Sequence, residues 1–155
     1  MTKQMFDINL TYTFDAGRSG AKYTLDGVHY MNSGEFAEVV TKSVLGFEAH
    51  KDANTSYDKG SDIEELNASV KSSKASLTSM VLADTFEESM NVYFENTHSS
   101  LFIYTVVMDE TATLYMMNAS EFRAFMTIWA KLNERGVIRF KATSGKMVAW
   151  LEERC

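Results

Sequence analysis

The sequence predicts a mixed α/β fold: one central mixed β-sheet flanked by helices. Three observations predict it. Leu101 to Met108 is a continuous apolar run, part β-branched and part aromatic, as a central buried strand requires. Segments near 33–45, 84–96 and 120–133 carry apolar residues at helical spacing. Tight-turn pairs, Asp26-Gly27 and Asp109-Glu110, separate strand-like runs, so hairpins are mixed with crossovers.

The elements follow in order. Phe6, Ile8, Leu10, Tyr12 and Phe14 alternate with polar residues, which predicts a half-buried strand over 6–14. Runs 21–25 and 28–31 around Asp26-Gly27 form a hairpin, so the chain opens as a small antiparallel sheet. Ser33-Gly34-Glu35 starts a helix that ends at Leu45 with Gly46 as its stop. Phe36, Val40, Val44 and Phe47 face the core, and Glu35, Glu38 and Lys42 lie on another face.

The polar segment 49–60 is followed by a tight hairpin over 61–73, and 74–83 is mostly loop. A second helix opens at 84–88, where Thr85 and Glu88 fit a capping box, and reaches Asn96. The strand Leu101–Met108 pairs across a turn with Thr113–Met117. Helix 120–133 buries Phe122, Phe125, Met126, Trp129 and Leu132. Val137–Ala142 is a strand and Lys146–Arg154 a final helix. Met108, Met116, Met117, Met126, Trp129 and Trp150 fall at core-facing positions; any exposed part of this set would offer a partner surface.

Bulk properties narrow the function. A chain of 155 residues with 45% hydrophobic and 23% charged residues suits one soluble domain, 1–155. One cysteine, Cys155, excludes an internal disulfide and fits a reducing cytoplasm. No apolar run is long enough to span a membrane, and the N-terminus lacks a signal-peptide pattern. The net charge of −6 argues against constitutive coating of nucleic acid. His29, His50 and His98 show no metal-ligand spacing, and no Gly-rich phosphate loop, nucleophile elbow or Cys pair is present.

The chemistry concentrates in Gly60-Ser61-Asp62-Ile63-Glu64-Glu65-Leu66-Asn67-Ala68-Ser69-Val70-Lys71-Ser72-Ser73. In a two-stranded hairpin, alternation puts Asp62 and Glu64 on one face of the first strand. Asn67, Ser69 and Lys71 share one face of the second. Two carboxylates and an amine would then converge, a set able to hold Mg²⁺ and to position a water or a phosphate. Glu35 and Glu38, one turn apart on the first helix, are alternative carboxylates. Asn67, Ser72, Ser73 and Lys74 surround Lys71 with polar groups suited to a phosphate backbone.

This arrangement resembles the core of the PD-(D/E)xK nuclease superfamily, which includes restriction enzymes and Holliday-junction resolvases, over roughly residues 33 to 109. Asp62 matches the superfamily's metal-binding aspartate and Lys71 its lysine, whereas Ser69 stands where the family has a second carboxylate. The resemblance implies a restriction-endonuclease-like core with an added N-terminal hairpin and C-terminal β-α. It implies a nuclease-like domain acting on DNA phosphodiesters with Mg²⁺ or Mn²⁺. Asp62, Lys71, Glu64 and Ser69 would form the catalytic set. The metal ligands would come from Asp62, Glu64, Glu35 and Glu38. The alternative is an inactive acidic protein that binds and blocks a basic, nucleic-acid-handling partner, as small inhibitors from phages and mobile elements do. A homodimer is compatible with either reading.

Overall fold

The computed structural model describes residues 1–8, 23–25, 28–30, 33–49, 61–72, 76–77, 84–108 and 110–155. A central four-stranded sheet is built from β1 (Thr2–Asp7), β4 (Ala68–Ser72), β6 (Leu101–Met108) and β7 (Thr111–Met117), in the order β1-β7-β6-β4. β6 and β7 are antiparallel neighbours, β1 is antiparallel to β7, and β4 is parallel to β6. The sheet is therefore mixed, with helices on it, as the sequence predicts.

The parallel pair is joined through α2 (Phe86–Asn96). The Thr85 hydroxyl accepts the Glu88 N–H at 3.2 Å and caps this helix. α1 (Ser33–Val44) ends at Gly46, whose φ of 83° only glycine adopts without strain. α3 (Ala119–Trp129) opens on a full capping box between Asn118 and Glu121. α4 (Gly145–Glu152) closes the chain, capped by Ser144. Outside the central sheet, β2 (Tyr23–Leu25) and β3 (Val28–Tyr30) pair antiparallel; Asp26 and Gly27 lie outside the described residues. β8 (Ala130–Leu132), β9 (Ile138–Phe140) and the two-residue β5 (Ser76–Leu77) form a third sheet.

Each face of the central sheet has its own apolar cluster. Phe102, Tyr104, Tyr115 and Met117 pack against Met90 and Tyr93 of α2, Phe122, Phe125 and Met126 of α3, and Met147 and Leu151 of α4. Phe102 and Phe122 stack with ring centroids 4.6 Å apart. On the other face Ile103, Ala112 and Leu114 meet Phe36, Val39 and Val40 of α1, with Leu25 and Tyr30 of the hairpin. Thr41 of α1 donates or accepts a 2.7 Å hydrogen bond with Thr105 of β6, which fixes the helix over the sheet centre.

Several expectations need correction. A strand runs over Thr2–Asp7, starting earlier than the expected 6–14, and it joins the central sheet rather than the β2–β3 hairpin; residues 9–14 lie outside the described set. Residues 130–132 leave helix 120–133 and become β8, because the Ala130–Leu132 backbone pairs with β9. Two residues of the expected loop 74–83 form β5. Glu38 and Lys42 are buried instead of lying on a solvated helix face. Met108, read as core, is exposed at the end of β6.

Candidate functional site

The acid-bearing segment is shorter than a strand. Ile63 and Ala68 form a single antiparallel bridge, and Glu64–Leu66 between them is a 3₁₀ turn. Asn67 closes that turn in the left-handed region, with φ 47° and ψ 49°, where asparagine is among the few residues tolerated. β4 then runs from Ala68. Alternation therefore fails for the first arm: Glu64 and Glu65 lie exposed on the turn, and Glu64 does not share a strand face with Asp62.

Asp62 is held at the outer edge of β4. Its N–H donates to the Ala68 carbonyl at 2.7 Å. Its Oδ2 accepts the Val70 N–H at 2.7 Å. Ser61 is buried beside it and donates toward the carbonyls of Ile63 and Ala68 at 3.2 and 3.3 Å. The carboxylate thus takes a backbone donor that no strand pairs among the described residues.

Lys71 is half-buried on β4. Its register partner on β6 is Tyr104, and that of Ser69 is Phe102. Parallel neighbours in register share a face, so Ser69 and Lys71 leave β4 on the α2 side. Burial lowers the Lys71 amine below its ordinary value, and Asp62 first, then Glu38, pull it back up. Burial likewise raises the Asp62 carboxyl, against the pull of Lys71, the Val70 amide and Lys42.

α1 supplies the remaining charges. Glu38 Oε1 meets Lys42 Nζ at 2.9 Å, one turn along the helix, with both side chains 7% exposed. Against burial, Lys71 and Lys42 both pull the Asp62 carboxyl down, and Glu38 pulls the Lys71 amine up. Tyr93 of α2 borders the group: burial raises its phenol, and the Asp62 charge raises it further. Its hydroxyl is buried and makes no well-formed hydrogen bond among the described residues.

The other candidates have structural partners. Ser69 is buried, and its Oγ lies 2.8 Å from Ser99 Oγ just before β6. Asn67 Nδ2 donates to the His98 carbonyl at 3.0 Å, and the Asn67 carbonyl accepts from Ser100 and Leu101. Ser72 is buried, its hydroxyl without a partner among the described residues, and is not displayed to a phosphate backbone. Glu35 is half-buried in the first turn of α1. Ser73, Lys74 and His50 lie outside the described residues. Lys42 and Tyr93 join the site without having been predicted. The Glu38–Lys42 spacing of four was a legible signal for the first; nothing local marks Tyr93.

Among the described residues no three His, Cys, Asp or Glu side chains gather to hold a metal. Mg²⁺ needs fewer, since it keeps several waters and is commonly held by one or two carboxylates together with substrate phosphates. Asp62 is a half-buried carboxylate and Glu38 a buried one, and Glu38 contacts Lys42. Among the described residues no helix is long and apolar enough to cross a membrane. Comparison with family models, curated proteins and solved structures gives no match to this chain.

Proposed function

We propose that this chain is a nuclease-like domain that hydrolyses DNA phosphodiester bonds with Mg²⁺ or Mn²⁺. One observation carries the reading: the Asp62 carboxylate is bound to the Val70 amide of β4, next in the chain to Lys71, so the acid and the amine sit at one edge of the sheet. Asp62 and Glu38 would hold the ion, with Glu38 exchanging its contact to Lys42. A bound divalent ion supplies positive charge against the negative phosphate. Lys71 directs its amine at the phosphate and at the incoming water. Burial favours the neutral amine, so more of Lys71 stands unprotonated and free to take a proton from that water than for a solvated lysine. The water oxygen bonds to phosphorus, and the bond to the leaving oxygen breaks. Tyr93 limits water at the α2 side of Asp62.

The test is cleavage of single- and double-stranded DNA by the pure chain with Mn²⁺ or Mg²⁺. Chelation should abolish cleavage, and Asp62→Asn or Lys71→Ala should lower it by about 10²–10⁴. A pure, folded chain that cuts no form of DNA with Mn²⁺ overturns the reading.

A second reading is favoured by Lys42 on Glu38 and by Ser69 bound to Ser99. These contacts satisfy the site internally, and the −6 charge suits a basic protein partner. Salt-sensitive capture of a basic nucleic-acid-handling protein, with no heat of Mg²⁺ or Mn²⁺ binding, would select it.

A further inference from the structure

The two edges of the central sheet are finished differently. At β4 the Asp62 segment covers the strand, whereas β1 is left open. Among the described residues nothing hydrogen-bonds to the outer side of β1, and every residue of the strand except Phe6 is exposed. Met5 at its centre is 61% exposed. An open, straight edge is a template for another strand, which proteins usually blunt with proline, a bulge or charge. This chain contains no proline, and β1 pairs with β7 in unbroken register from Thr2 to Asp7.

The backbone tells which residues face outward. The Ile8 N–H donates to the Glu110 carbonyl at 2.6 Å, on the β7 side. Backbone direction alternates along a strand, so Phe6, Gln4 and Thr2 also bond inward. Lys3, Met5 and Asp7 turn their N–H and C=O groups outward. These three also share one side-chain face, the face of Thr111, Thr113 and Tyr115, their partners on β7.

Charge then selects the partner and its register. A two-fold axis at Lys3 would oppose two lysines, and one at Asp7 would oppose two aspartates. Axes at Gln4 or Phe6 leave Lys3 or Asp7 across from Met5. An axis at Met5 alone pairs Lys3 with Asp7 of the second copy twice over, and sets Met5 against Met5. It also engages all three outward residues of each strand. Lys3 already contacts Glu152 of α4 at 2.6 Å, so its amine is held at this face between two acids.

We propose that two copies of this chain pair through β1, antiparallel and centred on Met5, to make one continuous eight-stranded sheet. The pairing does not depend on the nuclease reading, because the Asp62–Lys71 site lies on the opposite edge of the sheet.

Sedimentation and light scattering of the full chain across a concentration series test it. The wild type should reach twice the mass of one chain. Met5→Pro removes an outward N–H and blocks the incoming strand, at a position where an edge strand accepts proline. It should weaken association roughly tenfold or more, with circular dichroism and melting unchanged. Lys3→Glu should weaken association, and Lys3→Glu with Asp7→Lys should restore it. The charge pair decides the matter should the proline variant lose its fold. A wild type that stays monomeric, a dimer indifferent to Met5→Pro, or a double variant that fails to recover overturns the proposal.

Discussion

Asn67 decides whether Asp62 reaches β4 at all. Its left-handed backbone ends the 3₁₀ turn and starts the strand in the space of one residue, while its side chain ties the turn to His98. Asn67→Ala should cost about 1–3 kcal/mol, from the left-handed penalty and the lost hydrogen bond. Asn67→Gly escapes the backbone penalty and should cost less; urea unfolding of the two variants measures the difference. Lys71 gives a pH signature. Its folded-state value lies below the unfolded 10.5, so between the two the unfolded chain binds more protons at this site. Stability from this group therefore rises with pH across that window. Lys71→Met should flatten the rise, as read from unfolding at a series of alkaline pH values.

At the scale of elements, α1 carries a buried ion pair, beside the Thr41–Thr105 hydrogen bond, into a largely apolar contact with the sheet. Lys42→Met alone takes away the amine that Glu38 contacts at 2.9 Å in a buried setting, and should cost about 3–5 kcal/mol. Glu38→Leu with Lys42→Met removes both charges and should restore most of that stability; thermal unfolding checks the pair. These elements differ in how readable they were. β6 spans the residues that its apolar run predicts, because a strand covered on both faces has no polar alternation to confuse it. The antiparallel pairing of β2 with β3 was equally plain, because Asp26-Gly27 in the sequence favours a tight hairpin. The arm bearing Asp62 was misread because Asp62 and Glu64, two residues apart, suit neighbours on one strand face, whereas the apolar-polar-polar-apolar order of Ile63-Glu64-Glu65-Leu66 does not alternate and suits a turn. The bridge from Ile63 to Ala68, not propensity, settles the choice. β8 was read as helix because Trp129 and Leu132 continue the helical spacing, while pairing with β9 lies outside any local window.

Across the whole molecule, the site emerges from tertiary neighbours more than from spacing. Asp62 and Lys71 were legible as a pair. Glu38 was one of three candidate acids, and only the packing of α1 beside β4 distinguishes it from Glu35 and Glu64. Tyr93 comes from the crossover helix between parallel strands and has no signature of its own. The twin apolar clusters explain the resulting balance: each face of the sheet is closed by its own helices, and the titratable groups collect where β4 ends that coverage.

Because the Asp62 carboxylate occupies the Val70 amide, it also acts as a stopper against stray strands docking at that flank. Truncation to alanine would remove a charge and unplug the amide together, confounding lost turnover with clumping. An asparagine there keeps an oxygen for the amide and discards only the charge, which makes it the cleaner probe of what the acid itself contributes.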